Sequence, residues 1–265
     1  MSPLGPVLIS PGPAGPFYFN SKTLIMFKTP LLTKRGFLSL LLLGSVGLAQ
    51  AQSLQEVIAQ HVQALGGADK LRSLQSLQLE AETKVMLFMT IKVRTVMLNN
   101  EGVRLTIYMG NDEVSRSVAT PQGGASFEDG KRKAMDPREA SGLFESADLS
   151  GPFVDSEKKG ITLKLLGQQP LKRGGQAYVI EVLRPGGRPA SRHFIRTDNF
   201  MVARVEEQSY STEDRKWKEE WNEFDDYRDV QGVKMAHRIR SDDGELTVTS
   251  YKANESLDKR IFALQ

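Results

Sequence analysis

An alternation of apolar and polar residues with a period of two runs through much of the chain. Between residues 77 and 89 the odd positions are mostly apolar and the even positions mostly polar, as in Leu79 beside Glu80. Successive side chains of a β-strand point to opposite faces, so such a segment is predicted to be a strand with one apolar and one polar face. The same pattern returns three more times, in residues 91–97, 103–109 and 233–239.

Turn-forming residues separate these segments and set their approximate number. Clusters of Gly, Asn, Asp and Pro break a strand pattern because they favour turn conformations. Their spacing predicts about ten or eleven strands joined mostly as hairpins. The clusters lie at residues 99–102, 110–112, 123–124, 129–130, 173–175, 185–187 and 242–244.

Only two or three short helices are predicted beside these strands. Ser53 and Glu56 have the spacing of a capping box, and apolar residues follow at helical spacing until Gly66 and Gly67 end the pattern. A short helical turn is expected at residues 68–73. A further helix is expected over residues 137–147, where proline stands in the first turn.

An amphipathic sheet of this size must close into a barrel, stack on a second sheet or be covered by helices. Because few helices are available, we predict a strongly curved sheet with an apolar concavity that they leave partly unfilled. Flexible methionine side chains on this face suit varied apolar ligands as well as ordinary core packing, and both readings stay open. The candidate lining residues are Leu79, Val85, Leu87, Met89, Val93, Met97, Leu105, Ile107, Met109, Val233 and Met235.

The first 51 residues are predicted to be removed or to play no part in the fold. From Met26 the chain has a basic segment, then an apolar run of about a dozen residues over 36–48, then Ala49-Gln50-Ala51. This is the pattern of a secretory signal peptide, with cleavage expected after Ala51. Residues 1–25 are expected to be disordered or to precede the true start at Met26. Residues 52–265 are predicted to form a single domain.

Composition excludes several classes of function. Residues 1–51 carry four basic residues and no acidic one, which leaves 31 basic against 32 acidic residues in the rest of the chain, a formal net charge of −1. No basic face is therefore predicted for nucleic acid. The chain has no cysteine, so disulfides, thiol catalysis and cysteine-bound metals are excluded.

No catalytic or metal-binding motif is found. The three histidines, His61, His193 and His237, have no metal-ligand spacing, and each is interpreted as a structural core residue. The acidic pair Glu219 and Glu220 is interpreted as solvated surface. We therefore expect no enzyme activity, no cofactor and no metal, although a hydrolase with an unrecognised site is one alternative.

Four segments, in order along the chain, resemble a known family. Residues 61–71 (HVQALGGADKL) are similar to the "ALGG-x-x-KL" start of outer-membrane lipoprotein-sorting proteins related to the periplasmic carrier LolA. Residues 147–167 resemble the middle of that group, and Phe262 lies in its closing segment. Residues 224–237 resemble its "G-x-x-F-P-H" segment, with Met235-Ala236 in place of Phe-Pro.

The resemblance covers about residues 53–265 and implies a half-open antiparallel β-barrel with helices as a lid. It also implies a periplasmic, non-enzymatic carrier that holds acyl chains of lipid or lipoprotein in its cavity. Inner- or outer-membrane envelope proteins are possible partners, and a monomer is expected. The alternative is an envelope interaction module that binds another protein and carries no lipid.

Overall fold

The computed structural model describes residues 52–85 and 89–265. The predicted signal peptide and the candidate residue Leu87 lie outside this part of the chain. Val85 is described by its backbone only. Within it, the helices are α1 (Leu54–Ala64), α2 (Ala68–Arg72) and α3 (Pro137–Phe144), with short 3-10 turns at Glu145–Ala147 and Lys259–Phe262. The strands are β1 (Ser76–Val85), β2 (Met89–Leu98), β3 (Gly102–Met109), β4 (Asp112–Thr120), β5 (Gly123–Glu128), β6 (Lys131–Ala134), β7 (Thr162–Pro170), β8 (Gln176–Leu183), β9 (Ser191–Arg196), β10 (Val202–Ser211), β11 (Lys216–Val230), β12 (Val233–Ser241) and β13 (Gly244–Ala253).

The predicted helices are confirmed. α1 begins at Ser53, whose side chain accepts a hydrogen bond from the Glu56 backbone while the Glu56 carboxylate accepts one from the Ser53 backbone. Asp136 caps α3, and Pro137 takes its first position. Both helix starts follow from local hydrogen bonding, which explains why the sequence alone locates them.

All the described strands belong to one antiparallel sheet, in the order β6-β5-β4-β3-β2-β1-β13-β12-β11-β10-β9-β8-β7. The two halves of the chain are thus two meanders joined where β1 pairs with β13, as Leu77 does with Ala253. β6 and β7 form the two edges of the sheet, which is not closed. The predicted fold class, a curved and half-open antiparallel sheet with few short helices, is confirmed.

The described residues contain thirteen strands rather than ten or eleven, because some turns use no glycine or proline. The turn between β9 and β10 places Phe200 at φ 57°, and the turn between β10 and β11 places Arg215 at φ 50°. Residues other than glycine visit this left-handed region only occasionally, and neither side chain is typical of turns. These two connections contain no glycine or proline, and the predicted turn clusters do not include them.

One face of the sheet carries most of the core. The register sets Leu79 opposite Thr95 on β2, and Thr95 opposite Leu105 on β3, so the three side chains share that face. All three are buried, with exposed fractions of 1% or less. We call this the inner face. The opposite face of β2 and β4 carries a smaller cluster, in which Val96 and Val118 pack with Phe262 from the C-terminal turn.

The inner face is covered by the N-terminal helices and by the connection between the two edge strands. β6 and β7 lie at opposite edges, so residues 135–161 must cross from one edge to the other. This connection contains α3, the turn at 145–147 and an irregular segment over 148–161. We call α1, α2 and residues 135–161 together the lid.

Candidate functional site: the covered inner face

Most of the predicted lining residues lie together on the inner face. Met109 and Met89 are partly buried, with Met109 packed against the core. The other described candidates have exposed fractions of 4% or less and belong to one hydrophobic cluster: Leu79, Val93, Met97, Leu105, Ile107, Val233 and Met235. Val233 and Met235 lie on β12, which β13 separates from β1 and from the other candidate strands. Whether these residues bind a ligand stays a prediction.

The lid inserts an aromatic side chain between two buried histidines. The Phe153 ring meets His61 of α1 at 5.1 Å and His193 of β9 at 5.2 Å between centroids, edge to face in both cases. His61 Nδ1 donates to the carbonyl oxygen of Phe200 at 2.7 Å. Through these three rings, helix α1, segment 148–161 and the inner face pack against one another.

Both histidines are held neutral. Burial lowers the pKa of His61 to about 4 against the opposing effect of its bond to Phe200. Burial, followed by the charges of Arg184 and His61, lowers the pKa of His193 well below its usual value. His61 Nε2 and His193 Nδ1 are buried without a hydrogen-bond partner in the described structure. Leaving such a group unpaired costs on the order of 1–3 kcal/mol, so this part of the closed structure is not optimised for stability.

Little space remains beneath the lid near this contact. A crevice lined by His61, Leu65, Leu71 and residues 150–154 has an empty volume of about 230 Å³, part of which is open solvent. We expected the helices to leave the concavity partly unfilled, but the irregular segment contributes Leu149, Phe153 and Val154 to the core. In this conformation the inner face is covered.

Polar contacts anchor the irregular segment. The Arg72 guanidinium of α2 donates to the Asp155 carboxylate from Nε at 2.8 Å and from Nη2 at 3.2 Å. This pair lowers the pKa of Asp155 to about 2. Within the segment, Lys159 Nζ donates to both carboxylate oxygens of Asp148 at 2.7 Å. Such partly exposed ion pairs contribute little to stability and are easily exchanged for water.

A second polar group on the sheet was missed by the sequence analysis. Glu220 of β11 lies directly opposite Glu207 of β10. The Ser209 hydroxyl donates to Glu220, and burial, with a smaller contribution from Asp243, raises the pKa of Glu220 to about 7. The interpretation of both Glu219 and Glu220 as solvated surface is therefore wrong for Glu220, whereas Glu219 is exposed.

The face on which these carboxylates lie follows from the strand register. Asn222 is two residues from Glu220 on β11 and lies opposite Val205, which is fully buried in the main core. Phe224, two residues further along, belongs to the same core. Glu220 and Glu207 thus share a face with core residues. The sequence signal for this is the strand period of two, which places Glu220 on the same face of β11 as Phe224.

The histidines show no catalytic arrangement in the described residues. His237 packs edge to face on Tyr251, and its Nδ1 lies 3.0 Å from the Met235 carbonyl oxygen. Among residues 52–85 and 89–265, no group of three His, Asp or Glu side chains is arranged to hold a metal ion. In the same part of the chain, no helix has the length and apolar character needed to cross a membrane.

Comparison with solved structures shows which fold this is. The chain aligns with the LolA superfamily protein NE2245 from Nitrosomonas europaea at a TM-score of 0.51 and 15% identity, over 80% of this chain and 98% of that one. It also aligns with an outer membrane lipoprotein-sorting protein domain from Vibrio parahaemolyticus, at a TM-score of 0.49 and 14% identity, over 78% and 94% of the two chains. The first alignment shows a LolA-like fold. No protein-family model and no curated protein matches the sequence.

Proposed function

We propose that the chain is a non-enzymatic periplasmic carrier that binds acyl chains of lipid or lipoprotein on the inner face of its sheet. The observation that carries this proposal is a continuous apolar inner face, covered by a lid whose irregular segment is attached to α2 through the Arg72–Asp155 ion pair. The LolA-like fold supports the same function. Export to the periplasm rests on the signal-peptide pattern of residues 26–51.

Binding would require the lid to move. The residues that line the inner face are buried against Phe153, Val154 and their neighbours in the closed structure. An acyl chain that displaces these side chains keeps the inner face out of water and adds about 0.8 kcal/mol for each methylene it buries. The unpaired atoms of His61 and His193 lower the cost of moving Phe153 away.

The proposal is tested with the protein that begins at residue 52, purified without detergent. Native mass spectrometry is expected to find co-purifying lipid, and a fluorescent fatty acid is expected to bind. A protein that is consistently empty and does not bind the fatty acid contradicts the proposal. A stable protein partner captured by crosslinking in cells, without lipid, supports the interaction module instead.

A variant of the lid anchor sharpens this test. Arg72→Gln removes the ion pair with Asp155, so we expect faster association of the fatty acid, measured by stopped-flow fluorescence. The matched control is Arg260→Gln, which breaks a comparable pair with Asp258 in the C-terminal turn, away from the lid. Equal association rates in the two variants would show that the lid anchor does not limit entry.

A further inference from the structure

We infer that His61 and His193 form a binding site for the amide group of an amide-linked acyl chain, and that this group takes the place of the Phe153 ring when the lid opens. This inference rests on the proposed function and specifies how the acyl chain is linked to the rest of the ligand. Three observations carry it: the contact of both imidazoles with one lid side chain, an unpaired nitrogen on each, and hydrogen bonds that make one of these nitrogens an acceptor and the other a donor.

The His61 ring has an unpaired acceptor. Its Nδ1 lies 2.7 Å from the carbonyl oxygen of Phe200, which can only accept a hydrogen bond, so Nδ1 carries the hydrogen. In the neutral imidazole, Nε2 is then an acceptor. This Nε2 is buried and has no hydrogen-bond partner among the described residues. A ligand that satisfies His61 must therefore donate a hydrogen bond.

The His193 ring has an unpaired donor. The Ser191 hydroxyl accepts a hydrogen bond from Arg184 at 3.2 Å and lies 3.3 Å from His193 Nε2. Because the guanidinium can only donate, the Ser191 hydrogen is left to be donated to Nε2, which places the hydrogen of the neutral His193 ring on Nδ1. This Nδ1 is buried and has no hydrogen-bond partner in the described part of the chain. A ligand that satisfies His193 must therefore accept a hydrogen bond.

Both imidazoles lie beside the ring that lid opening would withdraw. The Phe153 centroid is 5.1 Å from the His61 centroid and 5.2 Å from the His193 centroid. His61 and Phe153 also line the crevice beneath the lid, together with apolar side chains from α1 and α2. A group that replaces the Phe153 ring thus meets two polar rings in otherwise apolar surroundings.

A secondary amide meets the requirements of both rings. Its N–H donates and its carbonyl oxygen accepts, and in the trans form these two groups point in opposite directions. This suits two rings that come from different elements, His61 from α1 and His193 from β9. An ester or an ionised carboxylate can only accept, so either would leave His61 Nε2 unpaired. Burial of an amide without partners is costly, and the two histidines would remove this cost.

The test compares three ligands with the same acyl chain: an N-methyl amide, a methyl ester and an N,N-dimethyl amide. Among them, the N-methyl amide alone has both an N–H and a carbonyl group. We expect it to bind about tenfold more tightly than either of the others, because it also satisfies His61 Nε2. Isothermal titration calorimetry gives the three affinities.

A variant of the acceptor ring adds a second test. In His61→Phe the preference for the N-methyl amide over the ester is expected to fall to about twofold or less. The matched control is His237→Phe, since the His237 ring also makes an edge-to-face contact, but with Tyr251. It is expected to keep the wild-type preference. Thermal unfolding shows whether each variant is folded, and the three ligands test the wild-type protein even if His61→Phe does not fold.

The hydrogen positions are tested without any substitution, by NMR of the side-chain nitrogens in isotopically labelled protein. The expected result is a hydrogen on Nδ1 of both His61 and His193. A hydrogen on Nε2 of either ring overturns the pairing of a donor with an acceptor. Addition of the N-methyl amide is expected to shift the His61 Nε2 resonance as a new hydrogen bond does, whereas addition of the ester is not.

The outcomes separate this inference from the proposed function. Equal binding of the N-methyl amide and the ester by the wild-type protein overturns the amide site and leaves the acyl carrier intact. Failure of all three ligands and of the fluorescent fatty acid to bind overturns the carrier and the amide site together. A primary alcohol of the same chain that binds as tightly as the N-methyl amide overturns the assignment to an amide, because a hydroxyl also donates and accepts.

Discussion

At the residue scale, the contact between Phe153, His61 and His193 joins the lid to the sheet. The two imidazoles are neutral because burial lowers their pKa values below the usual range. A protonated imidazole in this place would lose its hydration without gaining a partner. Acidification is therefore expected to act against the closed lid.

We predict that the free energy of unfolding falls as the pH is lowered from 7 to 5. The pKa of His61 is about 4 in the folded chain and near 6.5 in the unfolded chain, so between these values the unfolded state binds more protons. One such histidine changes the free energy by up to about 1.4 kcal/mol per pH unit. Urea unfolding at a series of pH values measures the slope.

His61→Gln provides the comparison, because glutamine can still donate to Phe200 but does not titrate. Its slope between pH 7 and 5 is expected to be smaller than that of the wild-type protein. Identical slopes would mean that His61 is not the buried neutral group described above.

At the element scale, the end of α1 is fitted closely against the turn between β11 and β12. The backbone N–H of Lys234 donates to the Leu65 carbonyl oxygen at 2.8 Å. Gly66 follows at φ 124°, and a Cβ atom built on it would overlap the carbonyl oxygen of Gly232. Glycine is required at position 66 for its backbone conformation and for the close approach of the two backbone segments.

Gly66→Ala is therefore expected to lower the free energy of unfolding substantially. The backbone conformation alone costs roughly 1–3 kcal/mol for a residue with a Cβ, and the overlap with Gly232 adds to this. Gly110→Ala is the control, since Gly110 also has a positive φ, 63°, but an added Cβ meets no atom within 4 Å. We expect a loss of about 1 kcal/mol there. Equal losses in urea unfolding would contradict the close approach.

At the scale of the whole molecule, a sheet that does not close has two edges that could pair with other chains. β6 is a short strand with exposed Lys131, Arg132 and Lys133. β7 has an irregular register between Leu165 and Gly167 and ends at Pro170. Short charged edges, irregularities and proline all hinder pairing between molecules.

Removal of the β6 charges is expected to promote association. The double variant Lys131→Thr/Lys133→Thr replaces two charged residues with a strand-forming one at an open edge, so it should form dimers or larger aggregates at concentrations where the wild-type protein does not. Size-exclusion chromatography with light scattering measures this.

The control changes the net charge equally on strands that have two neighbours. Lys92→Thr/Lys252→Thr alters exposed lysines of β2 and β13, which are both paired on each side. If both double variants associate to the same degree, loss of charge and not the open edge is the cause.

The sequence by itself determined the features that depend on near neighbours in the chain. The strand period in residues 77–83, the cap at Ser53 and the proline start of α3 all involve side chains and backbone groups within a few residues. These predictions are confirmed because strand alternation and helix capping are short-range effects. The resemblance carried by residues 61–71 and the later segments predicted the fold, which the structural alignment shows.

Only the tertiary structure decided which residues lie opposite each other in the sheet and which segments pack together. The pairing of Leu77 with Ala253 joins residues far apart in the chain, and no local pattern specifies it. The same holds for the place of Phe153 between two histidines and for the burial of Glu220 beside Glu207. A residue's burial and charge environment are set by the segments that fold against it, so the cover of the inner face and its acidic group became visible only once the strands were assembled.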